Sequence, residues 1–431
     1  MSDYKMKKWK VLHVSDLLPG VHHRVGGAEY VARRIIDEQV SAGHDVEVVS
    51  LPADRGVETE GLAAKRHVMG HVDRFAKRGA YAVKQMYFPA DPVAKRGLRQ
   101  AIARFRPDII HYHNLHFSGL NLLNVAREMG ITSVWSIYDY WLVCPSFMLL
   151  NEKHQICSTG HGGHCVNCVG ARRLKALKPL KQMLFALRPR VFKRYTSSVD
   201  GYITLSSASA ELLHRHGFPA AKLSVAHQFI WDAAYQREPT LQPEYGRLLY
   251  VGWVERRKGL HIIVQALARL AQQYPDLRLS VLGLPADPDY QRQIEELADR
   301  QQIGDRINVV ERVSRDQLLE SLQSAFLVTV PEQWENMSPV ILTEAMAAGA
   351  CVLASRVGGV RQFVEHQVNG LTVERDDVDG YVSAIRWAME NRDKIGEIRC
   401  NARSSAGKLF GREAVSQSII SAYSKAMDQN S

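Results

Sequence analysis

No run in this 431-residue chain approaches the roughly 18 consecutive apolar residues that a membrane-crossing helix needs, which excludes a helical span. Aromatic residues are sparse, 8% of the total, and are not arranged as a stacking platform. The net charge of +10 therefore does not read as nucleic-acid binding. Internal repeats and long low-complexity tracts are missing. Met1 to Lys10 is polar and basic with no apolar run of the kind a secretory signal carries, so a reducing cytoplasm is the expected compartment. Two shortages are local. No acidic residue occurs between Glu152 and Asp200, and of only 6 cysteines four crowd into the 25 residues Cys144 to Cys168.

Apolar residues, by contrast, make up 46% of the chain, enough at this length to bury two cores. Strand-like runs alternate with helical periodicity throughout, which argues for parallel sheets covered by helices on both faces. Ligands of such sheets bind beyond the carboxyl ends of the strands. A first domain is expected over residues 1–230, a polar Pro-bearing linker over 231–245, a second domain over 246–411, and a last helix from 412 toward the C-terminus.

Three stretches carry chemistry. In Pro331 to Gly349, two carboxylates, Glu335 and Glu344, flank the start of a helix whose stripe is Ile341, Ala345 and Ala348. Gly349 stops that helix before a strand over Ala350 to Ser355. The unpaired N–H groups and positive dipole end of its N-terminus suit a phosphate, and Glu344, past the first turn, suits a ribose diol. Next, the strand Leu248 to Gly252 runs into Trp253-Val254-Glu255-Arg256-Arg257-Lys258-Gly259, ahead of a helix over Leu260 to Gln273. Lys258 as a point charge and an Arg fork suit a diphosphate. Finally, the strand Lys10 to Val14 leads to Gly26-Gly27-Ala28-Glu29 at the start of a helix over Tyr30 to Ala42, where a Gly pair lets backbone approach a ligand.

Taken in order, Gly26 to Glu29, Pro107 to Asn114, Ser136 to Pro145, Tyr250 to Gly259, Glu335 to Glu344 and Val352 to Gly370 resemble the retaining family 4 glycosyltransferases of the GT-B fold, of the bacterial surface-polysaccharide type. The resemblance implies an α/β protein of two Rossmann-like doubly wound domains facing a central cleft, with the last helix crossing back to the first. It further implies transfer of a hexose from a nucleotide diphosphate sugar, a UDP- or GDP-sugar, to a lipid-linked or polysaccharide acceptor, without a catalytic metal. In that scheme Glu335, Lys258 and Arg257 are catalytic, Glu335 touching the sugar hydroxyls and the cations the diphosphate. Donor binding falls to Glu344, Arg256, Asn336, Met337, Ser338, Gly26 and Gly27, with Tyr138 and Asp139 as further donor contacts. Several positions depart from the family pattern. Glu335 and Glu344 are separated by eight residues rather than seven, so Asn336 occupies the usual first position. Trp253 stands where an arginine is usual, Tyr138 where a histidine is usual, and Arg361-Gln362 where Pro-Glu is usual. A non-catalytic sugar-nucleotide binder or scaffold, and a nucleotide-sugar epimerase, are the alternative readings.

The cysteines form a separate motif. Cys144, Cys157, Cys165 and Cys168 include a CxxC knuckle in a glycine-rich run, and four thiolates suit a structural Zn²⁺ that would order a loop lacking its own core. Disulfides and an iron–sulfur cluster are the rivals. Cys351 reads as core, and His111 and His113 are assigned no chemistry. The acid-free segment supplies the other motif. Over 171–195 basic residues from Arg172 to Arg194 interleave with Leu174, Leu177, Leu180, Leu184 and Leu187, and Lys65 to Arg106 is also basic around Met86, Tyr87 and Phe88. A basic amphipathic helix reads either as a solvated cover or as a surface for anionic lipid, which would place the protein peripherally on the inner face of the plasma membrane.

Overall fold

The computed structural model describes residues 8–23, 25–57, 61–71, 87, 89–169, 177–230, 235 and 238–430. Met86, Phe88 and the start of the basic segment, 171–176, lie outside the described residues. Two compact units emerge. The first joins Met1–Leu205, Ala210–Phe229 and Val415–Ser431, and the second joins Ser206–Ser209 with Ile230–Ala414.

Seven parallel strands form the sheet of the first unit: β1 (Lys10–Val14), β2 (Asp45–Ser50), β3 (Lys65–Val68), β4 (Ile109–Tyr112), β5 (Thr132–Ile137), β6 (Gly201–Thr204) and β7 (Leu223–Val225). Their order is β3-β2-β1-β4-β5-β6-β7. β4 and β5 are buried along their whole length, as expected of central strands covered on both faces. The helix Arg412–Asn430 contributes Tyr423, fully buried, to this unit.

The second unit holds six parallel strands: β8 (Glu244–Val251), β9 (Arg278–Leu282), β10 (Ile307–Val310), β11 (Ala325–Val330), β12 (Val352–Ser355) and β13 (Leu371–Val373). Their order is β10-β9-β8-β11-β12-β13. Side chains alternate between the faces, so Leu248 and Tyr250 join the core under the helices Leu260–Leu270 and Val378–Glu390. Leu249, Val328 and Ala354 join the opposite core, against Val340–Ala347 and Arg392–Phe410. Residues 230–245 cluster with this unit: Ile230 N–H donates to the Phe410 carbonyl (3.0 Å), and Tyr235 is buried in its core.

Several expected boundaries shift for local reasons. The first helix begins at Gly27 rather than Tyr30, because the Glu29 carboxylate reaches back to accept the Gly26 N–H at 2.8 Å and closes the first turn early. The helix from Leu260 ends at Leu270 rather than Gln273, with Pro275 close behind it. β8 starts four residues before Leu248, paired with β9 and β11. Arg256–Lys258 is a single 3-10 turn rather than an open loop.

In both sheets the strand order reverses direction once, between β1 and β4 and between β8 and β11. The connections leave these neighbouring strands toward opposite faces, which opens a crevice at their carboxyl ends. In the second unit that crevice depends on Gly259, whose φ is +75° and whose absent Cβ would fall 1.9 Å from the Pro331 carbonyl oxygen. Gly259→Ala is therefore expected to cost the second unit at least about 2 kcal/mol and to loosen the loop after β11. Urea denaturation compared with wild type checks this, and an unchanged midpoint would refute it.

Candidate functional site

The loops after β8 and β11, on either side of the reversal in the second unit, carry most of the residues singled out from sequence. Gln333 N–H donates to the Arg257 carbonyl at 2.7 Å and stitches the two loops together. Lys258 Nζ lies 2.5 Å from Oε1 of Glu332, a buried carboxylate that also accepts from Asn336 Nδ2 (3.1 Å) and Trp334 Nε1. Arg257 pairs with Glu255 at 2.5 Å and lies over the Trp334 ring, 4.9 Å from its centroid. Arg256 is exposed on the same turn, and so is Trp253. The cationic turn is thus held from behind by carboxylates, with Arg256 turned to solvent.

Past Glu332 the chain runs to the helix Val340–Ala347, whose N-cap, Pro339, makes no side-chain cap. Ser338 Oγ is buried there with no hydrogen-bond partner, an orphaned hydroxyl beside the positive end of a helix. Met337 is buried, and Asn336 Oδ1 accepts the Ser338 N–H (3.2 Å). Glu344 sits further along the helix, mostly buried, with Arg315 Nη2 3.8 Å from its Oε1. Glu335 is held differently. Its Oε2 accepts the Gly358 N–H (2.7 Å) and its Oε1 accepts from Arg361 Nη2 (2.6 Å). Both oxygens of the residue expected to meet sugar hydroxyls are engaged by the loop after β12.

In the first unit the loops after β1, β4 and β5 converge. Asp16 N–H donates to the Asn114 carbonyl (2.8 Å), and the Asp16 carboxylate accepts the Phe117 and Ser118 N–H groups. Burial pushes the Asp16 carboxyl up to about 6, against the lowering pull of those hydrogen bonds. Glu29 Oε1 accepts from Asn114 Nδ2, which ties the Gly26-Gly27 turn to the loop after β4. His116 Nε2 is 3.4 Å from Asp139 Oδ2. Burial alone would depress this imidazole, but Asp139, Asp16 and Glu29 outweigh it and raise its pKa. The four cysteines lie on the excursion between β5 and β6, Cys144 and Cys165 buried and Cys157 and Cys168 half-buried, all as free thiols.

The signature described as glycosyltransferase family 4 matches residues 25–230, and that of the group 1 glycosyl transferases matches residues 233–405. The D-inositol 3-phosphate glycosyltransferase of Geodermatophilus obscurus is 32% identical over 188 residues, a match spanning 42% of this chain and 41% of that relative. D-inositol 3-phosphate glycosyltransferase 1 of Catenulispora acidiphila is 28% identical across 74% of this chain and 73% of its own length. The lipopolysaccharide 1,2-N-acetylglucosaminetransferase of Salmonella typhimurium is 27% identical across 51% and 60%. The crystal structure of HepE from Anabaena in complex with UDP superposes with a TM-score of 0.67 at 17% identity, covering 96% of this chain and 99% of that one. The chain belongs to the family 4 glycosyltransferases of the GT-B fold.

In this glycosyltransferase Tyr138, which replaces the usual histidine, is part of a closed polar circuit in the core of the first unit. His13 Nε2 donates to Gln39 Oε1 (3.0 Å), Gln39 Nε2 to the Tyr423 hydroxyl (2.8 Å), and that hydroxyl to His111 Nδ1 (2.7 Å). His111 Nε2 then donates to Ser136 Oγ (2.8 Å), Ser136 to Tyr138, Tyr138 to His113 Nδ1 (2.6 Å), and His113 Nε2 back to His13 Nδ1 (2.8 Å). The proton positions are assigned from the amide of Gln39, which can only accept at Oε1 and donate at Nε2. Each member gives one hydrogen bond and takes one around the ring. Among the described residues, His13, His111 and His113 are also the group of metal-capable side chains whose ligand atoms all lie within 4.8 Å of one another. Every ring nitrogen in that group already has a partner, so the trio is a polar core.

The sequence reading passed over Asp16, Asn114, His116 and Glu332. The available signal was positional: each follows directly on a strand that borders one of the two reversals.

The ring has a pH consequence. Burial holds His13 down at about 4, and it holds His111 and His113 well below the ordinary imidazole value. Between pH 6.5 and 4 the unfolded chain therefore binds more protons than the folded one, and acidification destabilises the first unit. At pH 5 His13 alone accounts for about 2 kcal/mol. Asp16, raised to about 6, acts in the opposite sense within this window and offsets part of the loss, and His116, raised, acts in that same opposite sense at and above pH 6.5. Amide exchange of β1 and β4 in the whole protein should accelerate, beyond its intrinsic pH dependence, from pH 7 to pH 5. Unchanged protection would refute the neutral ring.

Proposed function

We propose that this family 4 glycosyltransferase moves a hexose from a nucleoside diphosphate sugar to a lipid-linked or polysaccharide acceptor, with retention of anomeric configuration, in the assembly of cell-surface glycan. The observation that carries this reading is the gathering at one crevice of the Arg256-Arg257-Lys258 turn, the uncapped start of Val340–Ala347 with the orphaned Ser338 hydroxyl, and Glu344. Diphosphate oxygens would meet the cations and the helix start, and Glu344 would take the ribose diol. Charge developing on the leaving diphosphate is then stabilised by groups already in place. HepE, crystallised with UDP and with UDP-glucose, makes a uridine donor the first to try. Asp139, His116, Asp16 and the Gly26-Gly27 turn border the crevice of the first unit, where we place acceptor recognition, with Gly26, Gly27 and Asp139 keeping their donor contacts.

The helix Lys178–Thr196 supports a membrane-borne acceptor. It buries Phe185 and Phe192, yet Leu180, Met183 and Leu187 remain 50%, 53% and 40% exposed among Lys178, Lys181, Arg190, Lys193 and Arg194. No helix among the described residues is long and apolar enough to cross a membrane, so such contact would be peripheral. Leu180→Asp with Met183→Asp is expected to reduce co-sedimentation with vesicles containing phosphatidylglycerol at least tenfold, while leaving donor binding intact. Equal sedimentation would refute this surface.

One observation favours the scaffold reading: Glu335 and Tyr138 are both occupied by their own chain. Turnover decides between the two. The purified protein with UDP- and GDP-hexoses is expected to release nucleoside diphosphate. A donor at about a hundred times its dissociation constant should add about 2.7 kcal/mol of stability. Glu344→Ala should abolish that stabilisation. Binding without release would support the scaffold, and unchanged nucleotide binding by Glu344→Ala would refute the ribose assignment.

A further inference from the structure

We propose that Cys144, Cys157, Cys165 and Cys168 hold one tetrahedral divalent ion of the zinc class, with the buried Arg188 guanidinium offsetting part of the negative charge of the site. The four thiols come from three separate local structures. Cys144 closes a turn on Tyr140, its N–H donating to the Tyr140 carbonyl at 2.7 Å. Cys157 ends a small antiparallel hairpin, in which Leu150 pairs with Ile156 and Cys157 N–H donates to the Leu149 carbonyl (2.7 Å). Cys165 and Cys168 share the turn of the CxxC knuckle, with Cys168 N–H donating to the Cys165 carbonyl (3.0 Å).

These structures bring the sulfurs to one place. Cys157 Sγ and Cys165 Sγ lie 3.9 and 3.8 Å from the same carbonyl, that of Gly160. Cys165 lies within electrostatic reach of Cys144 and Cys168, and Cys168 within reach of Cys144 and Cys157. Two of the sulfurs already accept backbone N–H groups, Cys165 from Gly162 (3.3 Å) and Cys168 from Glu152, the kind of contact that favours a thiolate. The nearby histidines are spent elsewhere. His164 Nε2 contacts the Gly160 carbonyl (2.9 Å), and His161 Nδ1 faces Arg188 Nη1 (2.6 Å), and the donor set we propose is the four sulfurs. No three of these sulfurs lie within 4.8 Å of one another, whereas Zn–S bonds of about 2.3 Å put tetrahedral sulfurs about 3.8 Å apart. Binding would draw the three local structures closer together.

Arg188 is the second observation, and it points to charge. The side chain is fully buried on the helix Lys178–Thr196; it donates to the Trp141 carbonyl (2.6 Å), and the guanidinium lies 3.7 Å from the Phe192 centroid. The Cys144 and Cys165 sulfurs lie within electrostatic reach of it. A buried cation and a buried cluster of thiolates each cost less when they lie near one another. When a divalent ion replaces four thiol protons, which leave to solvent, the resulting tetrathiolate carries a net charge of −2, and the Arg188 guanidinium offsets part of it. Because Arg188 also grips the Trp141 carbonyl, two residues after Asp139, the ion would brace the loop that starts at Tyr138.

The full chain, purified under reductant, is expected to contain about one zinc per protein by elemental analysis. Cys165→Ser with Cys168→Ser should lose it, while Cys351→Ala with Cys400→Ala should keep it. Should the first pair fail to fold, cobalt(II) added to chelator-stripped wild type gives an independent readout. Thiolate-to-cobalt charge transfer and strong tetrahedral ligand-field bands are expected, displaced by one equivalent of zinc. Protein without metal that gives no cobalt bands would overturn the proposal. So would two disulfides in the intact mass before reduction, or a brown chromophore with iron and labile sulfide. None of these readouts depends on transferase activity, so the donor and acceptor assignments stand or fall separately.

Discussion

Parallel strands cannot be joined by tight turns, so each connection must cross a face of the sheet, and a sheet covered on both faces must change its direction of winding somewhere. The placing of both candidate crevices follows from where that change falls. It falls between β1 and β4 in one unit and between β8 and β11 in the other, and the loops leaving those strands diverge and leave their backbone groups available. Loops elsewhere around the sheets are free to be solvated connectors. These loops are buried, hydrogen-bonded to one another, and rich in paired charge.

Charge in the second crevice is organised in pairs of unequal burial. Glu332 is nearly inaccessible while Lys258, its partner, keeps part of its surface, so the pair presents a cation at a fixed place rather than a flexible one. Glu335 and Arg361 make a similar pair, with the carboxylate inside and the guanidinium half exposed. This second pair gives a physical reading of two departures at once. The residue beside the family's first glutamate position is a carboxylate, and the position that usually carries proline is an arginine that neutralises it. An incoming anion would meet cations whose counter-charges lie behind them, which suits a diphosphate better than a bare cluster of arginines would, since the empty site then costs less.

The first unit solves a different problem, a core of hydrogen-bonding side chains. Three imidazoles, an amide and three hydroxyls from three strands, the loops that follow two of them, and two helices satisfy one another in a single direction around a ring. A buried polar network that is fully satisfied specifies one arrangement of the elements that carry it. Tyr423, from the last helix, belongs to that ring, so the helix is tied in by a specific hydrogen-bonded contact as well as by apolar burial. Tyr138 in place of histidine fits the same account, because its hydroxyl both receives from Ser136 and donates to His113.

Periodicity and turn chemistry in the sequence already determined the alternation of strands and helices, the parallel sheets and the helix after Pro339, because each depends on residues close together along the chain. The glycines and the cationic turn were legible for the same reason. Helix and strand ends were less so: the start at Gly27 rests on one side chain reaching back three residues. What only the tertiary structure decided is which charges face which. Glu332 behind Lys258, Arg361 on Glu335, His116 beside Asp139, Arg188 near the cysteines, and the closed ring from His13 to Tyr423 join residues tens to hundreds of positions apart. Their partnership is set by the order of strands in the sheet, which no local pattern of residues encodes.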